Sequence, residues 1–111
     1  MDTPSSFQYE VEQSGVDQRG NKLTTIKCHG KLIMGNSGEI KDLVKPLLPQ
    51  GGRIVIDLGD LAFLDSTGLG ALVSLKVSAI NQGLCILEFT NMSPRIMDLL
   101  RITKLKELFS S

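Results

Sequence analysis

The run Arg53-Ile54-Val55-Ile56-Asp57-Leu58 constrains this chain more than any other stretch. A short apolar run rich in β-branched residues reads as a strand covered on both faces, as in a parallel sheet flanked by helices. Leu84-Cys85-Ile86-Leu87-Glu88-Phe89 reads as another buried strand. Between the two, Leu69, Leu72, Val73, Val77 and Ile80 recur at helical spacing, and Gly83 follows as a stop. Strands alternating with helices define an α/β fold, here a mixed sheet of about four to five strands with helices packed against it.

Upstream, Phe7-Gln8-Tyr9-Glu10-Val11 alternates apolar with polar residues, which predicts a strand with one buried face. Leu23 to His29 is a second strand, and the polar segment Ser14 to Asn21 joins the two as a hairpin. After a loop over Gly30 to Gly35, Asn36 and Glu39 stand at the spacing of a capping box. Ile40, Leu43, Val44 and Leu47 continue as a helix that Pro46 should end or kink near Lys45. Ser93-Pro94 has the form of a helix start. Leu99, Leu100, Ile102, Leu105, Leu108 and Phe109 then supply one or two short helices, broken near Thr103. Residues 1–6 read as a disordered polar tail and residues 7–111 as a single domain, since 111 residues suit one core.

Charge and composition exclude several classes. Twelve basic and twelve acidic residues leave a net charge of zero, so the broad attraction to a nucleic-acid backbone is missing. No apolar run approaches the roughly 18 residues of a membrane span. The first residues lack a basic patch followed by an apolar stretch, so no secretory signal is expected, and the expected location is the cytoplasm. Cys28 and Cys85 lie in apolar, strand-forming stretches and are expected to be reduced and buried. Cys28 and His29 are adjacent on a strand and point to opposite faces, so no metal site is expected, and no cofactor either.

Catalysis fares no better. Leu64 stands where a nucleophile elbow, Gly-x-Ser-x-Gly, requires its first glycine. His29 is the only histidine, and Asp65 has no second carboxylate motif to pair with. No Gly-x-x-x-x-Gly-Lys loop is present to hold a nucleotide. The chain is not expected to be an enzyme.

The informative stretch is Leu64-Asp65-Ser66-Thr67-Gly68-Leu69-Gly70-Ala71-Leu72, which joins the end of a strand to the start of a helix. Ser66 or Thr67 is placed to cap that helix. Gly68 and Gly70 cost the first turn about 1 kcal/mol each relative to alanine, which points to a close approach by a partner surface or a phosphate. A phosphate on Ser66 would bring about −1.5 to −2 charges to a helix N-terminus that can accommodate them. Beside Asp65, the same charge would repel a docked partner. On the residues alone, Ser66 is either a helix cap or such a switch.

The stretch from Ile54 to Gly70 resembles the signature of STAS domains, specifically bacterial anti-sigma factor antagonists. Gly30, Asn91-Met92-Ser93-Pro94 and the Ile96 and Leu99 pattern extend the resemblance over residues 7–109. It implies a STAS (SpoIIAA-like) fold and a partner-switching adaptor. The unphosphorylated protein binds an anti-sigma factor that is also a serine kinase of the GHKL ATPase type, and so frees a sigma factor. Phosphorylation of the serine after the motif aspartate ends that complex, and a PP2C-type phosphatase resets it. By position that serine is Ser66, with Thr67 as the lesser candidate. The implied docking residues are Asp65, Ser66, Thr67, Gly68 and Leu69 at the helix start, with Leu32, Ile33 and Met34 in the loop after the second strand.

One departure stands out. Family members commonly carry an acidic pair in that loop, as Gly-Glu-Leu-Asp, whereas this chain has Gly30-Lys31-Leu32-Ile33-Met34. The alternative is therefore a non-switching STAS subunit of a larger assembly, of the stressosome or lipid-transport type.

Overall fold

A computed structural model of the chain describes residues 7–16 and 18–110; the expected tail over residues 1–6 lies outside them. The elements are β1 (Phe7–Val16), β2 (Lys22–Leu32), α1 (Ser37–Val44), a 3-10 turn over Lys45–Gln50, β3 (Gly52–Leu64), α2 (Ser66–Gln82), β4 (Cys85–Thr90), α3 (Pro94–Ile102) and α4 (Lys106–Ser110). The four strands lie in the order β1-β2-β3-β4. β1 runs antiparallel to β2, while β2, β3 and β4 run parallel to one another. The parallel pairs are joined by crossovers, through α1 and the 3-10 turn and through α2, as parallel strands require.

The helices cover one face of this sheet. Ile26 and Cys28 on β2, Ile54, Ile56 and Leu58 on β3, and Leu87 and Phe89 on β4 are buried beneath them. The helical side of the core comes from Ile40, Val44, Leu69, Leu72, Leu75, Ile96 and Leu100. On the other face Arg53, Val55, Asp57 and Glu88 are only half-buried, and Arg53 pairs with Glu88 at 2.6 Å. The expectation that residues 53–58 are covered on both faces therefore fails, and so does the matching one for β4. Val55 is the one apolar residue of its face between Arg53 and Asp57, and its β-branch masks an alternation that was present all along.

β1 departs from expectation for a related reason. Only Phe7 is buried, while Tyr9 and Val11 are 43% and 44% exposed. They pair with the buried Cys28 and Ile26, but β1 is the sheet edge and has a neighbouring strand on one side only.

α2 begins on β3 and ends at Gly83, whose φ of 67° only glycine adopts readily and whose N–H donates to the Ala79 carbonyl at 3.0 Å. Its core face is Leu69, Leu72, Leu75, Lys76 and Ala79; Val77 and Ile80, expected in the core, are exposed. Lys76 is buried and its Nζ donates to the Leu87 carbonyl at 2.5 Å, with burial lowering its pKa. Burial pushes the Cys28 thiol up to about 12, aided by the charge of Asp57. Cys85 is half-buried rather than buried, and neither cysteine is in a disulfide. Among the described residues no helix is long and apolar enough to cross a membrane.

At the C-terminal end, Ser93 accepts the Ile96 N–H at 3.2 Å and Pro94 opens α3, as expected. Thr103 closes α3 by donating its hydroxyl to the Leu99 carbonyl at 2.7 Å.

Candidate functional site

The parallel strands β2 and β3 end side by side, with Leu32 registered against Leu64. Both chains leave the sheet there, one into the loop at residues 33–36 and the other into α2. Asp65 is the last extended residue, at φ −93° and ψ −178°. Its N–H donates to the Leu32 carbonyl at 3.3 Å. Its Oδ1 accepts the Gly68 N–H at 2.7 Å, and its Oδ2 accepts the Met34 N–H at 3.0 Å.

The cap of α2 is thus Asp65, not Ser66 or Thr67 as expected. A capping side chain must come from the residue still in extended geometry, and Ser66 is already helical. The correction frees the Ser66 hydroxyl from the capping role. Ser66 and Thr67 are the first two residues of the helix, and both are exposed.

The loop on the other side of Asp65 is held by its own bonds. Asn36, buried, accepts the Ile33 N–H at 2.9 Å and donates to the Lys31 carbonyl at 3.0 Å. The Ile33 carbonyl accepts the N–H groups of Asn36 and Ser37. The Asn36 side chain makes no cap bond to α1, so its half of the expected capping box is replaced by this loop stitch. The result is a tied turn on which Met34 is 76% exposed and Ile33 half-buried.

The glycines separate cleanly. A β-carbon at Gly68 would collide with the Leu32 carbonyl and lie 2.9 Å from Leu64 Cδ1. The close approach expected of Gly68 is therefore made inside the fold, by the end of β2. Gly70 has nothing within 4 Å of that position and faces open space.

Of the residues expected to dock a partner, Met34, Ser66 and Thr67 face outward. Ile33 and Asp65 are half-buried, while Leu32, Gly68 and Leu69 are in the core. Leu69 is 6% exposed because the first turn of α2 points it at the sheet. Phe63 and Ile102, neither of them among the expected docking residues, are 41% and 75% exposed. With Leu64, Arg95, Asp98 and Leu99 they line a groove of about 540 Å³ at the same end of β3. An aromatic residue directly before Leu64-Asp65 was the available signal.

No group of three or more histidine, cysteine or acidic side chains among the described residues could hold a metal ion. His29 instead joins three strands. Its Nδ1 meets Asp60 at 2.5 Å and its Nε2 meets Glu10 at 2.9 Å. The hydrogen bonds to Asp60 and then Glu10 raise its pKa above the ordinary value.

The chain is similar to known proteins over most of its length. The STAS domain family profile matches residues 12–111. An anti-sigma-B factor antagonist of Staphylococcus aureus is 34% identical over 89 residues, covering 79% of this chain and 82% of its own. One from Bacillus subtilis is 33% identical over 93 residues, covering 84% of each. The solved structure of the anti-sigma factor antagonist SpoIIAA in its unphosphorylated form superposes with a TM-score of 0.70 at 17% identity, over 91% of this chain and 84% of that one. The fold is the SpoIIAA-like one, with four strands among the described residues.

Proposed function

This chain belongs to the STAS domain family, and from that membership we propose that it works as an anti-sigma factor antagonist. In the unphosphorylated state it binds an anti-sigma factor that is also a serine kinase of the GHKL ATPase type, which frees a sigma factor in the cytoplasm. Phosphorylation of Ser66 breaks the complex, and a PP2C-type phosphatase restores it. The chain itself performs no catalysis.

One observation carries the reading: Ser66 is exposed at the first position of α2, and its capping role is taken by its neighbour Asp65. A hydroxyl so placed is open to a kinase, and modifying it leaves the cap standing. The docking surface is then Met34 on the tied loop with Ser66 and Thr67 on the helix start, and Asp65 holding the two together. A phosphate on Ser66 adds about −1.5 to −2 charges next to the Asp65 carboxylate. A partner surface seated there must desolvate both charges, which favours dissociation.

The reading is tested by affinity capture from the source cells with Ser66→Ala and Ser66→Asp baits side by side. An ATPase-type kinase on the alanine bait and its absence from the aspartate bait support the switch.

A second reading rests on Lys31 and Ile33, which replace the acidic pair usual in this loop, and on the exposure of Met34. A loop that offers an apolar contact in place of two acids suits a constitutive subunit of a larger assembly. That reading expects the same partners on both baits.

A further inference from the structure

The groove at the end of β3 has apolar walls and a positively charged rim. Phe63, Leu64, Leu99 and Ile102 line a volume of about 540 Å³. Leu64 is buried and Leu99 half-buried, while Phe63 and Ile102 stand exposed above them. A covered floor under an exposed lip is a recess, which receives side chains that project into it. Its volume lies within the range of pockets that hold a ligand.

The charge around this recess departs from that of the chain, which is neutral overall. Arg95 is on the groove wall, and Lys31 is registered directly against Phe63 on the neighbouring strand. Both are exposed, and neither makes an ion pair among the described residues. Asp98, on the same wall as Arg95, is answered by Arg101 at 2.7 Å. The carboxylates that flank Phe63 in sequence are both engaged, Asp60 by His29 and Asp65 by the N–H groups of Gly68 and Met34. The recess therefore carries a surplus of positive charge held by Lys31 and Arg95.

We propose that this groove docks an acidic segment of a partner protein, one that presents large aliphatic or aromatic side chains flanked by aspartate or glutamate. The apolar side chains fill the recess over Leu64 and Leu99 and cover Phe63 and Ile102. The flanking carboxylates meet Lys31 on one side and Arg95 on the other. Arg95 can take a carboxylate through two parallel N–H bonds, whereas Lys31 acts as a point charge. The anchors supply the affinity, and the two cations reject a basic segment of the same shape. A protein segment fits this surface better than an anionic membrane does, because a lipid surface is entered by side chains that protrude. The proposal stands whether or not Ser66 is a switch.

Panning a phage-displayed library of random peptides against the immobilised full chain tests it. The expected result is enrichment of peptides that combine Leu, Ile or Phe with Asp or Glu. The most enriched peptide, synthesised with a fluorophore, should bind wild type by anisotropy, and more weakly as salt rises. Lys31→Glu and Arg95→Glu together should weaken it about tenfold or more, since like charges then face each other. Ile102→Ser should weaken it with the charges left in place. Both side chains reversed in the double variant are exposed, so its far-UV circular dichroism spectrum should be unchanged. Panned in turn, that variant should enrich Lys and Arg in place of the acids.

No enrichment, or an enriched set without acidic residues, overturns the proposal. So does a peptide indifferent to the double reversal or to Ile102→Ser, or an acidic set enriched equally by the reversed chain. Binding to phosphatidylserine vesicles without binding to any peptide also overturns it, since the groove is then a membrane contact.

Discussion

The Oδ2 atom of Asp65 accepts the backbone N–H of Met34 at 3.0 Å, across the gap between the end of β3 and the loop after β2. Its other oxygen caps α2 through Gly68. One carboxylate therefore fixes the relative position of the candidate phosphate acceptor and of the apolar side chain beside it. Removing it should loosen both. Asp65→Ala should destabilise the fold by about 1 to 2 kcal/mol, the range for a lost cap. It should also speed hydrogen exchange at the Met34 amide, while amides in β3 slow or speed only with global stability.

Ser66→Ala, by contrast, should leave stability within about 0.5 kcal/mol of wild type, as for an exposed residue with no cap to lose. Urea unfolding of the two variants separates the roles. A Ser66→Ala loss as large as that of Asp65→Ala would return the cap to the serine.

Gly68 and Gly70 should respond in opposite directions. Gly68→Ala drives a β-carbon into the Leu32 carbonyl, and overpacking of this kind costs about 1 to 3 kcal/mol. Gly70→Ala meets open space and should gain up to about 1 kcal/mol of helix propensity. Thermal melts give both numbers.

Leu69 and Leu87 should behave alike. Both are buried, at 6% and 1% exposure, so truncation of either to alanine should cost about 2 to 5 kcal/mol. A Leu69→Ala variant with wild-type stability and weakened partner binding would restore Leu69 to the docking surface.

His29 predicts a pH dependence. The bonds to Asp60 and Glu10 favour its charged form, so its folded pKa lies above the ordinary 6.5 that it regains on unfolding. The folded state then binds the proton more tightly, and this stabilisation is complete below about pH 6.5 and lost as pH rises through the folded value. Melting temperature measured from acidic to mildly alkaline pH should fall over that window, and His29→Gln should flatten the fall. An identical pH profile in the variant would show that the clasp contributes nothing.

Much of this architecture could be read from the residues. Gly83, Ser93-Pro94 and Pro46 each mark a boundary by a backbone property that no neighbour can override, and each boundary lies where it was expected. The faces were harder. α2 is apolar nearly all round, so Val77 and Ile80 fit a helical stripe as well as Leu75 and Ala79 do, and only packing against the sheet decides between them. In β3, Val55 between Ile54 and Ile56 hides the alternation. At the site, Asp65 and Ser66 are both good caps, and a boundary shift of one residue changes which of them is spent on the helix. The bond from Asp65 to Met34 joins segments distant in sequence and left no local trace.

The central claim is that Ser66 governs partner binding, and calorimetric titration of the captured anti-sigma kinase tests it most directly. The kinase is titrated with the unphosphorylated chain and with the chain phosphorylated at Ser66. The account predicts a loss of affinity of about tenfold or more on phosphorylation, at least about 1.4 kcal/mol. Equal affinity for the two forms would contradict it.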